Sequence, residues 1–127
     1  GKEYGILTLA VEYYAHAELV AKVPRTVFIP APEVDSAVVK LTPKAPPVSA
    51  PREPLFSVIR AAFQQRRKTI RNALKPTAQA WGLSAEQLEE AFQEAGIKGE
   101  ERGESLTLQD FGRLTETILQ RCTHGVC

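Results

Sequence analysis

The stretch FQQRRKTIRNAL, residues 63–74, places Arg66, Arg67, Lys68 and Arg71 within six positions. Guanidinium groups present forked donors that match phosphate oxygens, and an ammonium adds a mobile point charge, so the chemistry on offer is the binding of a phosphate backbone. Residues 52–75 carry Arg52, Arg60, Arg66, Arg67, Lys68, Arg71 and Lys75 against the single acid Glu53, a net of +6, whereas the whole chain carries only +1. Residues 1–51 are balanced and residues 76–127 are acidic, with a net of −5. Charge sorted into blocks marks a directional surface. Arg60, Gln64, Arg67, Lys68, Arg71 and Lys75 recur at steps of three and four, which aligns them on one face if the segment is a single helix. At 1.5 Å per residue the row extends about 23 Å and reads as a rail for nucleic-acid phosphates. A purely solvated face would mix signs, and this one has no acid after Glu53. Arg66 falls where the apolar stripe calls for a buried residue, so it is expected at an edge, its stem packed and its head free, or held at a domain junction. The pattern does not separate RNA from DNA, and no aromatic interleaves the cations to suggest single-strand stacking.

The elements that must hold these groups follow from periodicity and punctuation. KAPPVSAPREP, residues 44–54, holds four prolines, which exclude helix and central strand; residues 44–52 are read as an extended linker. Before it, YGILTLAVEYYA has Thr8 and Glu12 on one face and apolar residues elsewhere, which predicts a mostly buried helix, with a strand as the alternative. ELVAKV, 18–23, and SAVVKLT, 36–42, read as strands, joined by a loop that Pro30 and Pro32 stiffen. After the linker the pattern is helical. A first helix is expected over 53–75, with Leu55, Ile59, Ala62, Phe63, Ile70, Ala73 and Leu74 as its buried stripe and Pro76 as its stop. A second begins at Ser84, where Gln87 completes a capping box, and ends at Gly96. A third begins at Thr107 with Asp110 three residues on, and buries Phe111, Leu114, Thr115, Ile118 and Leu119. Three amphipathic helices make a small bundle, with Trp81 expected between them.

The chain has 127 residues, 43% hydrophobic and 24% charged, as a folded core requires. No apolar run reaches the roughly 18 residues of a membrane helix. GKEYG lacks the basic start and apolar centre of a secretory signal, and the expectation is a cytoplasmic protein with free thiols at Cys122 and Cys127. Cys122, His124 and Cys127 are too few ligands for a structural metal site. His16 and His124 have no evident partners, and no metal is expected.

Two motifs carry more than composition. VFIPAPEVDSAVVKL contains Phe28, Pro30, Pro32, Val34, Ser36 and Val38 in the pattern Phe-x-Pro-x-Pro-x-Val-x-Ser-x-Val. Together with KEYGILTLAVEYY, RAAFQQRRKTIRNAL and RGESLTLQDFGRL, in that order along the chain, it closely resembles the bacterial small-subunit ribosomal RNA adenine N6,N6-dimethyltransferase family. The resemblance implies the C-terminal half of such an enzyme: an α+β fragment with one helix and two strands from the end of a Rossmann-like methyltransferase sheet, then a small all-α bundle. On that view residues 1–43 are a remnant of the methyltransferase domain, 44–52 the linker, 53–122 an rRNA-binding helical domain and 123–127 a tail. The family transfers methyl groups from S-adenosylmethionine to two adjacent adenosines of small-subunit rRNA. The Gly-x-Gly-x-Gly and Asn-x-Pro-Tyr motifs that bind cofactor and adenine are not in this sequence. The resemblance therefore implies a piece that binds no cofactor by itself and is inactive alone.

In the family's chemistry an adenine leaves its stack to be methylated. The resemblance offers Phe28 as the face for the flipped base, with Pro30, Pro32 and Ser36 shaping the loop; packing at a strand end is the other role open to Phe28. Arg60, Arg66, Arg67, Lys68, Arg71 and Lys75 would bind rRNA or a pre-ribosomal subunit by its backbone, which positions rather than specifies. A sheet fragment leaves an edge open, so the isolated chain is expected to dimerise or swap through residues 1–43, or to be loose before residue 45. Two alternatives stay open: a stand-alone nucleic-acid-binding module, and a protein-interaction bundle whose basic face meets an acidic partner.

Overall fold

In the computed structural model, which describes residues 2–27, 29–31, 33–65 and 67–123, with side chains from residue 5 onward, five α-helices surround a single core and a two-stranded sheet projects from it. The first helix, α1, spans Lys2–Tyr14 and runs directly into β1, Ala15–Val23. β1 pairs antiparallel with β2, Ser36–Pro43, with Ala15 opposite Pro43 and Val23 opposite Ser36 and an irregularity between Leu19 and Ala21. The β-branched runs thus form the expected strands. The connecting loop holds a short 3-10 turn at Arg25–Val27 and a cis Ile29–Pro30 peptide. Asp35 folds this loop back: its carboxylate accepts the Arg25 backbone N–H at 2.8 Å.

α1 is a helix, but it is not mostly buried. Among its described side chains only Leu9 and Tyr13 are buried, while Leu7 is 58% and Tyr14 49% exposed. Its buried side meets α2, where Gly5 lets the helices close: a Cβ there would stand 2.5 Å from the Phe63 ring. On another side Leu7 and Val11 line an open groove with Ala15 and Ala17 of β1.

The expected helix over 53–75 is in fact two. α2 spans Arg52–Gln64 and α3 spans Ile70–Ala80, with turn or bend residues at 65, 67 and 68 between them. Three adjacent cations repel within a helical turn, and Thr69 offers an alternative: its hydroxyl accepts the Asn72 N–H and caps a new helix. The freed N–H groups of α3 find carbonyls across the bundle, Ile70 to Glu101 at 2.5 Å and Arg71 to Gly99 at 3.1 Å. Pro76 does not end a helix; it sits inside α3, where burial of Ala78 and Trp81 outweighs the lost intrahelical bond. The apolar stripe survives the break, since Leu55, Ile59, Ala62, Phe63, Ile70, Ala73 and Leu74 are all buried.

α4, Ala85–Ala95, has the Ser84–Gln87 capping box and ends at Gly96 in the left-handed region, φ 72°. α5, Leu108–Leu119, has the Thr107–Asp110 box and fully buries Phe111, Leu114, Thr115 and Ile118. Trp81 lies in the core at 5% exposure. The proline-rich segment is irregular, as expected, but it is fastened. Ala50 is buried, Ser49 donates to Glu116 at 2.5 Å, and Val48 lies over Gly112 so closely that a Cβ there would meet it at 3.0 Å.

Candidate nucleic-acid interface

The break between α2 and α3 scatters the cations that a single helix would align. Arg67 and Lys68 are exposed in the turn itself. Arg60 is exposed on α2, where its guanidinium donates to Ser57 Oγ at 3.2 Å. Lys75 is exposed on α3, near enough to Glu89 to lower that carboxyl slightly. Arg66, Phe28 and Pro32 lie outside the described residues. Pro30 is exposed in the loop, and Ser36 is exposed at the first position of β2.

Arg71 corrects the expectation most clearly. It grips Glu89 of α4 with two donors, through Nε to Oε1 and through NH2 to Oε2 at 3.1 Å, and reaches Glu100 at 3.2 Å. The acids came from a distant part of the chain, so spacing along one helix did not reveal them. Gly99 forms the floor of this site, since a Cβ there would sit 2.6 Å from the guanidinium. The hydrogen bond to Glu89, then that to Glu100, raises the Arg71 pKa further above its ordinary value. In return, hydrogen bonding to Arg71 holds Glu89 below the usual carboxylate range. Glu100 is lowered first by its own backbone N–H and then by Arg71. Arg71 therefore acts as a clasp joining α3, α4 and the 96–102 loop. Arg121 clasps Glu90 and Glu94 in the same way, and Arg113 joins Asp110 and the Ala95 carbonyl. Among the described residues no ion pair engages Arg52, Arg60, Arg67, Lys68 or Lys75.

Sequence reasoning missed one arrangement. Arg52, Phe56, Arg60 and Gln64 recur at steps of four along α2, so an aromatic does interleave the cations. Tyr14, from the end of α1, lays its ring parallel to Phe56 at 8°, with centroids 6.3 Å apart. The four-residue spacing was visible in the sequence; the arrival of Tyr14 beside it was not.

A family model described as ribosomal RNA adenine dimethylase matches residues 1–120. The chain belongs to this family. Among its relatives, the ribosomal RNA small subunit methyltransferase A of Anoxybacillus flavithermus is 49% identical over 119 residues, which cover 92% of this chain and 40% of that protein. The protein of the same name from Clostridium acetobutylicum is 46% identical over 119 residues, covering 92% of this chain and 42% of that one. The chain thus spans about two fifths of the length of the relatives it matches. Among solved structures, the 23S rRNA methyltransferase ErmE aligns with a TM-score of 0.62 at 27% identity, over 93% of this chain and 48% of that one. A dimethyladenosine transferase from Plasmodium falciparum aligns with a TM-score of 0.63 at 22% identity, over 90% and 48% respectively, and shares the fold. The dimethylase family accounts for both halves of the chain, the hairpin as well as the bundle, because the match runs through both. No helix among the described residues is long and apolar enough to cross a membrane.

Proposed function

We propose that this chain is the C-terminal part of an S-adenosylmethionine-dependent rRNA adenine N6,N6-dimethyltransferase that modifies two adjacent adenosines of small-subunit rRNA in the cytoplasm. The observation that carries the reading is the family match across residues 1–120 by a chain that spans about two fifths of its relatives. The α1–β1–β2 unit then belongs to the methyltransferase domain, whose remaining strands and helices cover the exposed Leu7, Leu19, Val38, Val39 and Leu41. The cofactor is assigned to that remainder, since the Gly-x-Gly-x-Gly turn is absent from this sequence and the open groove beside α1, lined by Leu7, Val11, Ala15 and Ala17 with Glu12 at its rim, is chiefly apolar.

In this reading the chain's own residues do two things. The loop that joins β1 to β2 presents Phe28 as the stacking face for an extruded adenine, with Pro30, Pro32 and Ser36 shaping its backbone. The exposed cations Arg60, Arg67, Lys68 and Lys75, with Arg66 beside them in sequence, hold the rRNA backbone and set its orientation. Arg71 is reassigned from that surface to the internal clasp. Without its covering elements the hairpin pairs with a second copy, giving a dimer or a swap. A stand-alone binding module is the second reading, favoured by the closed, capped core of α2 to α5.

The test is methyl transfer from labelled S-adenosylmethionine to small-subunit rRNA, with this chain alone and joined to the methyltransferase portion of a relative. Activity only in the joined protein supports the proposal. Transfer by the chain alone overturns its inactivity, and a joined protein that leaves adenine unmethylated overturns the assignment.

A further inference from the structure

We propose that the cleft between the end of α1 and the outer side of α2 binds one nucleotide of single-stranded RNA, with its base on Tyr14 and Phe56 and its phosphates between Arg52 and Arg60. This rests on the reading that the chain binds RNA, and adds a site separate from the Arg67–Lys68 turn. The cleft has a volume of about 370 Å³, on the scale of a small-ligand site, and is lined by Tyr14, Arg52, Glu53, Phe56, Ser57 and Arg60.

Three independent features point to a nucleotide. Arg52 and Arg60 are eight residues apart on α2, a rise of about 12 Å at 1.5 Å per residue, with Phe56 midway between them. Neither is held in an ion pair among the described residues. Tyr14 remains 49% exposed although it stacks with Phe56, so an aromatic platform is left open beside the cations. Bases stack on such platforms whatever their identity, and arginine adds cation–π attraction. The cleft also opens at the N-terminus of the thirteen-residue α2, where Pro51 supplies no side-chain cap, so first-turn N–H groups are left uncapped toward the ligand, with Glu53 beside them. Glu53 refines the placement. A carboxylate repels phosphate but accepts hydrogen bonds from a ribose 2′-hydroxyl or an exocyclic amine, which favours a ribonucleotide bound through sugar and base on that side.

Arg60 also borders a second, adjoining hollow formed with Gln64, Thr77 and Trp81. The strand therefore has a path across α2 beyond the first nucleotide, passing Arg60 on its way.

The experiment uses the chain with a ten-nucleotide single-stranded RNA and a duplex of the same sequence, at low salt. Binding to the single strand should shift the ring resonances of Tyr14 and Phe56. Tyr14→Leu, which keeps apolar cover over Phe56, should weaken single-strand binding roughly 5- to 150-fold, the range of one lost base–aromatic stack, and leave duplex binding within about twofold. Arg52→Gln should lower affinity without altering the fold or the thermal midpoint. If Arg67→Gln weakens RNA binding while Arg52→Gln and Tyr14→Leu do not, and the rings stay unshifted, the cleft is refuted and the RNA reading stands. If the unaltered chain binds neither RNA, both fall. Equal displacement of the single strand by a poly-glutamate peptide would also overturn the proposal, because it would show an acidic protein segment to be as good an occupant.

Discussion

Replacing Arg71 by Gln should leave the salt dependence of RNA binding unchanged, whereas replacing Arg67 and Lys68 should flatten it. A cation that neutralises a phosphate releases bound counterions, and each such contact contributes about 0.7 to the slope of log affinity against log salt on a single strand. The structure leaves five described cations of the 52–75 segment free of ion pairs: Arg52, Arg60, Arg67, Lys68 and Lys75. If all five meet phosphates, the slope is about −3.5, and the Arg67→Gln, Lys68→Gln double variant falls to about −2.1. Arg71→Gln should stay at about −3.5, because its guanidinium is already committed to Glu89 and Glu100. Its loss should appear elsewhere, as a lower melting temperature and a Glu89 carboxyl that returns toward its ordinary pKa. The assay is fluorescence anisotropy of a labelled oligonucleotide from 50 to 300 mM salt, paired with an NMR titration of Glu89. A slope lowered by about 0.7 in Arg71→Gln would refute the clasp, since the arginine would then be leaving its carboxylates for RNA. An unchanged slope in the Arg67, Lys68 double variant would remove the turn from the interface.

Other outcomes follow from the same geometry. Leu114→Ala opens a cavity at a fully buried position of α5 and should cost about 2–5 kcal/mol, read from urea denaturation; a loss under about 1 kcal/mol would show that the bundle is not tightly packed there. Acid should destabilise the fold: Glu89, Glu100 and Asp110 all have depressed pKa values, Asp110 because hydrogen bonds from Thr107 and Arg113 outweigh its burial. Their stabilisation is complete above the unfolded carboxyl values of about 4 and is lost as pH falls through the lower folded values, so melting temperatures should hold down to about pH 5 and then decline, and Asp110→Asn should soften that decline. The isolated chain should self-associate through its hairpin, and Val39→Lys, at a half-exposed apolar position of β2, should shift it toward monomer in sedimentation velocity; a monomer at all concentrations before the change would refute this.

The local code of this chain was explicit. Ser84 with Gln87, Gly96, and Thr107 with Asp110 set the ends of α4 and α5, because a cap is satisfied by groups within four residues. The apolar stripe over 55–74 was equally legible, since burial follows periodicity whether or not the helix is continuous. The family, too, was readable from the order of a few motifs.

The candidate interface was legible only in part. The concentration of cations in 52–75 is a property of the sequence, but which of them remain available is decided by tertiary contacts. The helix break at 65–69 needed the Glu101 and Gly99 carbonyls, thirty residues on in the chain, to receive the first N–H groups of α3. Arg71 was withdrawn by two acids from α4 and the following loop, and Tyr14 was brought to Phe56 by the crossing of α1 over α2. Side chains signal their local geometry through near neighbours, so sequence fixes caps, stripes and charge density; partners joined across a folded core depend on how the helices pack, and only the assembled structure tells a free cation from a clasped one.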